Sequence, residues 1–193
     1  MNRNRIIQTA IALFAVYGIK AVDISRIAKE THISEQTVDA EFSSMEQLLE
    51  ACVQHEIEVL ETDVSDAILQ SHSSLELLVD VISTVFAGLS RFCTAFYCDL
   101  GEFPLVQKQM ILFRNKFHNN CIGYFIECEK DGFFSSDFFS MESSASFCIE
   151  TFVNMEYKYQ AKIIRIFLQS ISTKKGIREI NRIDRERNIF IYN

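Results

Sequence analysis

Residues 5–49 read RIIQTAIALFAVYGIKAVDISRIAKETHISEQTVDAEFSSMEQLL, and this stretch decides the fold class. Its apolar residues recur at intervals of three and four, the spacing that places them on one face of a helix. The first run stops at Gly18, a common helix terminator, whereas Asp23 and Ser34 precede the second and third runs, as helix N-caps do. The stretch therefore predicts three short helices in succession.

Helical periodicity also dominates the rest of the chain, which contains six glycines and one proline. Ser44 begins Ser-Met-Glu-Gln, a capping-box pattern, at the start of a long fourth helix. Lys174, Lys175 and Gly176 are interpreted as the end of the helix before them. The spacing predicts further helices over 75–96, from Pro104 to about 128, and over 141–156 and 158–172, followed by a polar helical tail that reaches about Arg187. No run alternates as a strand would, so the predicted fold class is all-α.

Charge is distributed unevenly along the chain, whose net charge is −7. Residues 1–50 carry −2, residues 51–157 carry −11 and residues 158–193 carry +6. An acidic head and middle do not favour nucleic acid on composition alone. The basic stretch from Lys174 to Arg187 is interpreted as a solvated cationic face, on a helix whose isoleucines at spacing three pack against the body.

The N-terminal sequence MNRNRIIQTA lacks the apolar core of a signal peptide. No apolar run approaches the roughly 20 residues of a membrane helix. We therefore expect a cytoplasmic protein with no membrane partner. In that compartment the six cysteines, none of which forms a CxxC pair, are expected to be reduced and mostly buried.

Catalytic and metal-binding patterns are scarce. The chain has no glycine-rich phosphate loop, no GxSxG and no HExxH, so we expect no enzyme and no cofactor. Cys52 with His55, and His118 with Cys121, share helical spacing of three and would suit zinc if their helices met. Partly buried helix residues explain both pairs more simply, and no metal is predicted.

The head resembles the TetR family of bacterial repressors. The residues that carry the resemblance are Ala10, Leu13, Phe14, Gly18, Ile27, Ala28, Ile33, Ser34, Thr37, Phe42, Glu46 and Leu48. Their order and spacing hold without a gap over roughly 45 residues. Two later segments, DLGEFPLVQKQM and IRIFLQSISTKKGIREI, are similar to one bacterial branch of the family. The resemblance then extends over nearly the whole chain.

This resemblance implies an all-helical homodimer with two domains. Residues 1–48 would form a helix-turn-helix head, and residues 49–193 a larger helical ligand-binding and dimerisation domain. Helices two and three would bind double-stranded operator DNA, and a small-molecule effector would release it. The last two helices would pair with their mates, and the interface residues expected there are Ile149, Phe152, Ile164, Phe167 and Ile171.

Four residues depart from the family pattern on the surface that would face DNA. His32 stands where the family has glycine, and a side chain there needs a positive φ or a different turn. Asp39 and Glu41 replace aromatic residues, and Met45 replaces a phosphate-binding lysine. These changes remove phosphate contacts and add like charge, so we expect weakened DNA affinity.

The remaining candidates for DNA contact are Arg3, Arg5, Ser25, Glu35, Gln36 and Thr37. Gln36 suits adenine and Glu35 suits cytosine, while the arginines suit the backbone or the minor groove. The alternative is that the third helix presents only a solvated polar face.

Seventeen phenylalanines suggest an apolar cavity for an apolar or aromatic ligand. The candidates are Phe86, Phe92, Phe96, Phe113, Phe117 and Phe147. Ordinary core packing produces the same spacing. The sequence thus predicts a one-component regulator, most simply a repressor. The alternative is a dimeric ligand-binding or protein-interaction module with a degenerate head that does not recognise DNA.

Overall fold

The computed structural model of the protein describes residues 2–137, 139–153 and 157–187, and the side chains of 151–153 and 157–161 lie outside the description. The predicted all-α fold is confirmed. The described helices are α1 (Asn2–Tyr17), α2 (Ile24–Thr31), α3 (Glu35–Glu41), α4 (Met45–Gln70), α5 (Ser74–Ser90), α6 (Thr94–Asp99), α7 (Pro104–Lys130), α8 (Met141–Val153), α9 (Tyr157–Ser170) and α10 (Lys174–Arg187). A 3-10 turn, Leu100–Glu102, lies between α6 and α7.

The chain packs into two compact units, each made of two stretches of sequence. The head unit comprises residues 1–61 and 89–113, and the body unit comprises residues 62–88 and 114–193. The predicted division between residues 48 and 49 stays a prediction, because a packing unit and a functional domain need not share a boundary.

The head unit surrounds one apolar core. From α1 this core takes the face predicted by spacing, including Ile6, Ala10 and Phe14. From the second stretch it takes residues distant in sequence, such as Phe96 and Val106. The three N-terminal helices therefore do not bury their apolar faces alone, since α6 and the start of α7 complete their core.

The helix predicted over 75–96 is two helices, and this prediction was wrong. α5 ends at Ser90 and α6 begins at Thr94. Cys93 adopts an extended conformation, and its N–H donates to the Ala15 carbonyl at 2.9 Å. The apolar spacing continues across this break because α6 buries Phe96 in the head core. Periodicity alone therefore does not predict where α5 ends.

The interpretation of Lys174–Gly176 as a helix end was also wrong, because these residues begin α10. The Thr173 hydroxyl accepts a hydrogen bond from the Gly176 N–H at 3.2 Å, as an N-cap does. A Cβ at Gly176 would lie 2.1 Å from the Phe133 carbonyl oxygen. Glycine is therefore required here by a close backbone approach inside the body unit and not by a helix terminus.

Among the described residues, no single helix is both long and apolar enough to cross a membrane. Ser74–Ser90 and Thr94–Glu102 meet the length and composition of a span only when they are taken together as a bent pair.

Candidate nucleic-acid interface

The second and third helices form a helix-turn-helix with a defined cap at each start. The Asp23 carboxylate accepts the Arg26 N–H at 2.8 Å and caps α2. The Ser34 hydroxyl accepts the Thr37 N–H at 3.2 Å and caps α3. Both caps were predicted from the sequence, because an N-cap contacts a residue only three positions away.

His32 provides the turn between these helices with a left-handed backbone, φ 52° and ψ 39°. Of the two possibilities that the sequence left open, the positive φ is the one adopted. The Ile33 N–H then donates to the Ala28 carbonyl at 3.0 Å, which closes the end of α2. Replacing the family's glycine with histidine therefore keeps the turn, at the cost of a conformation that L side chains rarely adopt.

The outer face of α3 is acidic and open to solvent. Val38 is fully buried and fixes the inner face, while Glu35, Gln36 and Asp39 are exposed. Thr37 lies between these faces, and its hydroxyl is 2.8 Å from that of Ser34. The exposed side-chain amide of Gln36 is therefore accessible to a binding partner. The Thr37 hydroxyl, in contrast, is already hydrogen-bonded to the Ser34 hydroxyl.

The start of α4 has fewer groups that could bind a DNA phosphate than the family pattern has. The Ser44 hydroxyl accepts the Gln47 N–H at 3.1 Å, so the predicted cap is present. The Gln47 side chain accepts from the Ser43 N–H at 2.7 Å, one residue earlier than in a standard capping box. Met45 packs against the head core. Its replacement of the family's lysine has therefore turned a cationic position into an apolar one.

Two of the cations in the head are engaged within the protein. Arg3 donates to the Glu41 carbonyl at 3.0 Å and lies 4.2 Å from the centroid of the Phe42 ring. Lys20 forms an ion pair of 2.5 Å with Glu102, which raises the pKa of its ammonium group. Arg5 is exposed on α1, and Ser25 is exposed in the first turn of α2.

Asp99 holds the loop after α1 in place. Its carboxylate accepts the N–H of Ile19 at 2.8 Å and that of Lys20 at 2.9 Å. Gly18 has φ 81°, and a Cβ there would lie 2.9 Å from the Ala95 Cβ. Sequence reasoning missed this role because the partners are 80 residues apart and no local pattern links them.

The six candidate ligand-binding phenylalanines fall into separate environments. Phe86 and Phe117 meet edge to face in the body unit, with ring centroids 6.5 Å apart. Phe92 and Phe96 pack in the head unit at 4.3 Å. Phe113 is half-buried at the end of the head unit's second stretch, and Phe147 is 52% exposed. A shared cavity lined by all six stays a prediction, and the exposure of Phe147 suits a surface better.

The predicted interface residues are mostly interior. Ile149, Ile164 and Ile171 are buried within the chain itself, so a partner would gain little area from them. Phe167 is half-exposed and packs on Phe147 with centroids 4.9 Å apart. The side chain of the fifth candidate, Phe152, lies outside the described residues.

The tail helix α10 is paired rather than simply solvated. Ile180 and Ile183 are buried, as predicted, whereas Ile177 is exposed. Arg182 binds Glu179 at 2.7 Å and lies 3.5 Å from Glu76. The interpretation of the tail as a solvated cationic face therefore needs correction for the arginines that face α5.

The candidate zinc ligands have other surroundings. Cys52 is buried in the head unit, where its thiol faces the Ile7 carbonyl at 3.7 Å. Burial raises the pKa of Cys121 to about 12, which keeps this body-unit thiol protonated. His118 is 2.9 Å from the Ser146 hydroxyl. Within the described part of the chain, no group of three or more potential ligands is arranged to hold a metal ion.

Residues 6–52 match the family model of bacterial regulatory proteins, tetR family. Among curated protein sequences, none matches the chain.

Solved structures of transcriptional regulators share the fold at low sequence identity. A TetR-family regulator from Agrobacterium tumefaciens is 14% identical with a TM-score of 0.76, covering 89% of this chain and 97% of its own. A putative regulator from Saccharomonospora viridis, in complex with choline, is 15% identical with a TM-score of 0.71, covering 96% of each chain. The ketosteroid regulator KstR2 of Mycobacterium tuberculosis is 15% identical with a TM-score of 0.64, covering 90% and 96%.

Proposed function

We propose, from the premise that residues 6–52 form a helix-turn-helix domain of the tetR family, that this chain is a one-component transcriptional regulator. It acts as a homodimer that binds operator DNA through α2 and α3, and a small molecule bound by the helical body lowers that affinity. Because DNA occupancy ends when the effector binds, the simplest regulatory outcome is repression.

The observation that carries this proposal is the intact helix-turn-helix. Both helices are capped, the turn takes the left-handed conformation through His32, and Val38 and Phe42 anchor α3 in the core. The two caps and the left-handed turn are exposed, so a head that had lost its function could lose them while Val38 and Phe42 stayed in the core. In this motif the second helix enters the major groove and the first crosses the phosphate backbone.

Base contacts in this interface come from the start of α3. The exposed amide of Gln36 reads adenine, and Glu35 accepts a hydrogen bond from cytosine. Ser25 and Arg5 contact the backbone, while Arg3 and Thr37 contribute through the groups that their internal hydrogen bonds leave available. Because the head has few cations, the affinity of the complex depends weakly on salt concentration. Tight binding is then restricted to the operator sequence.

The homodimer forms through α8 and α9. Phe147 and Ile166 are each more than half exposed, and half-exposed Phe167 packs on Phe147. Large apolar side chains that are exposed together support a subunit interface. The buried Ile149 and Ile164 support this surface from behind rather than forming it.

The effector is an apolar or aromatic small molecule. Phe86 and Phe117 pack edge to face in the body unit, where an apolar ligand would find aromatic surface. Proteins of this fold include a ketosteroid regulator and one solved with choline, so the fold accommodates chemically different effectors. This diversity supports a small-molecule effector without specifying its identity.

A second candidate function has one observation in its favour. The exposed face of α3 carries Glu35 and Asp39, which repel phosphate. A head of this kind suits a dimeric ligand-binding or protein-interaction module that no longer recognises DNA.

An electrophoretic mobility shift with the DNA that flanks the protein's own gene, at low salt, separates these functions. We expect a shift at micromolar dimer or below. Gln36→Ala should weaken binding to that fragment but leave binding to a random duplex unchanged, because Gln36 reads a base. Absence of any wild-type shift at micromolar dimer would contradict the regulator and favour the interaction module.

A further inference from the structure

We propose that Arg26, held on the ring of Tyr17, is the principal phosphate-binding cation of the head. This inference rests on the proposed DNA-binding function and assigns the backbone contact that α3 and α4 no longer supply. It begins with the five cations of residues 1–50, Arg3, Arg5, Lys20, Arg26 and Lys29.

These cations differ in what already binds them. Lys20 is in an ion pair with Glu102, and Arg3 is hydrogen-bonded to the Glu41 carbonyl. Arg5 and Lys29 are exposed, and a long exposed side chain must be immobilised when it binds. Arg3 and Arg26 are both held in place without an ion pair to a described carboxylate. Arg3, however, uses a guanidinium N–H on the Glu41 carbonyl, whereas no described residue accepts a hydrogen bond from the Arg26 guanidinium.

The position of Arg26 is fixed at both of its ends. Its backbone N–H donates to the Asp23 carboxylate, which caps α2. Its guanidinium carbon lies 3.8 Å from the centroid of the Tyr17 ring, at the last residue of α1. Because Tyr17 is 46% exposed, the stack lies at the protein surface, where a second ligand can approach the guanidinium.

Stacking leaves the binding capacity of the guanidinium unused. The contact with the ring engages the face of the planar group, while all five N–H donors lie in its plane. A phosphate accepts two parallel hydrogen bonds from such a fork. Since the ring already restricts the side chain, forming these bonds costs less conformational entropy than it would for a free arginine.

The location on α2 identifies the partner. The first helix of a helix-turn-helix crosses the phosphate backbone. Ser25 precedes Arg26, and Lys29 follows one turn later, and both are exposed. The first two turns of α2 thus present a hydroxyl, a preorganised guanidinium and an ammonium group in succession. The acidic α3 offers no comparable group, so the cationic contribution of the head is concentrated on α2.

Binding of the full-length protein to a random-sequence 30-base-pair duplex tests this proposal, because phosphate contacts do not depend on sequence. Fluorescence anisotropy gives the Kd over a series of NaCl concentrations from 20 mM upward. For a dimer with one Arg26 contact per head, Arg26→Gln should weaken binding at least tenfold and reduce the log–log salt slope by about 1.8.

Four further variants separate charge from geometry. Lys108→Gln is the matched control, since it removes one exposed cation from α7 and should change neither the Kd nor the slope. Arg26→Lys keeps the charge but loses the planar fork, so it should keep the slope and weaken binding severalfold. Tyr17→Leu should weaken binding to a similar extent, whereas Tyr17→Phe should match the wild type. Circular dichroism confirms that each variant folds.

The failure of this inference is distinct from the failure of the function on which it rests. A wild-type protein that binds neither this duplex nor its own flanking DNA overturns both. Wild-type binding combined with an Arg26→Gln variant that matches Lys108→Gln overturns the role of Arg26 alone. A strong effect of Arg26→Gln without any effect of Tyr17→Leu overturns the role of the ring.

Discussion

The charged helices α3 and α10 carry opposite signs and use their charge in opposite ways. α3 contains Glu35, Asp39 and Glu41 and no basic residue, and it leaves the first two exposed. α10 contains more basic than acidic residues, yet it directs Arg182 and Arg187 onto carboxylates of α5. The more basic helix is therefore partly neutralised inside the body unit, and the acidic helix occupies the position that faces DNA in the proposed complex.

The α10 contacts centre on a buried carboxylate. Glu76 is 2% exposed and accepts hydrogen bonds from Arg187 and from the His72 N–H, the latter at 2.9 Å. Asp80 binds Arg187 at 2.5 Å. The hydrogen bond from Arg182 lowers the pKa of the Glu179 carboxyl, which stays ionised at neutral pH. The net charge of a helix therefore does not identify its binding partner, because Arg182 and Arg187 of α10 are already bound to carboxylates of the protein.

The largest expected effect comes from undocking α10 by Gly176→Ala. The new Cβ would lie 2.1 Å from the Phe133 carbonyl oxygen, a backbone atom that also accepts the Thr173 N–H. The helix start or the Phe133 loop must shift, and we expect a loss of about 3 kcal/mol in the free energy of unfolding. Urea denaturation at fixed protein concentration measures this loss.

Gly123→Ala is the matched control for that substitution. Gly123 lies within α7, and a Cβ there would meet nothing within 4 Å. Alanine in an open helix interior should stabilise the protein by up to about 1 kcal/mol. Equal effects of the two substitutions would show that the close approach at Gly176 does not constrain α10.

The next effect comes from removing the carboxylate shared by the α10 arginines. Glu76→Ala deprives Arg182 and Arg187 of a buried partner and removes the acceptor for the His72 N–H. We expect a loss of about 3 kcal/mol at most, since Asp80 and Glu179 keep some of the pairing. Asp66→Ala, at an exposed carboxylate of α4, should stay within about 0.5 kcal/mol of wild type. A similar small change for Glu76→Ala would mean that these ion pairs do not hold α10.

Contacts over three or four residues were predictable, and those over long distances were not. The Asp23 and Ser34 caps follow from local patterns, whereas the bond from Asp99 to Ile19 depends on tertiary folding. The pattern Ser73-x-x-Glu76 was missed, although the Ser73 hydroxyl accepts the Glu76 N–H at 3.2 Å. Such a capping box was readable in the sequence.

Glycine and phenylalanine show why the remaining features escaped prediction. Gly176 fits a helix end as well as a close approach, and only the position of Phe133 decides between them. Helical spacing correctly places Phe86 and Phe117 on buried helix faces, but it does not predict that their two rings pack against each other. The periodicity of the sequence therefore predicts which face of a helix is buried, but it does not predict which element packs against that face.

The smallest expected effect comes from Asp39→Asn, which tests whether the acidic face of α3 opposes DNA binding. This substitution keeps the shape of the side chain and removes a charge that would oppose DNA phosphates across the interface. A repulsion near 1 kcal/mol per head in water, or about 2 kcal/mol for the two heads of a dimer, corresponds to an affinity gain of roughly 30-fold on a random duplex at low salt. Fluorescence anisotropy measures the gain, which should shrink as salt rises.

Two substitutions show whether that gain belongs to the position of Asp39 or to net charge. Asp66→Asn makes the same charge change on α4, and Arg178→Gln makes the opposite change on an exposed residue of α10. Neither should alter affinity by more than about twofold if α2 and α3, and not α4 or α10, face the phosphates. If Asp66→Asn matches Asp39→Asn, the acidic helix does not dock in the groove. A weakening by Arg178→Gln would instead place the cations of α10 at the DNA.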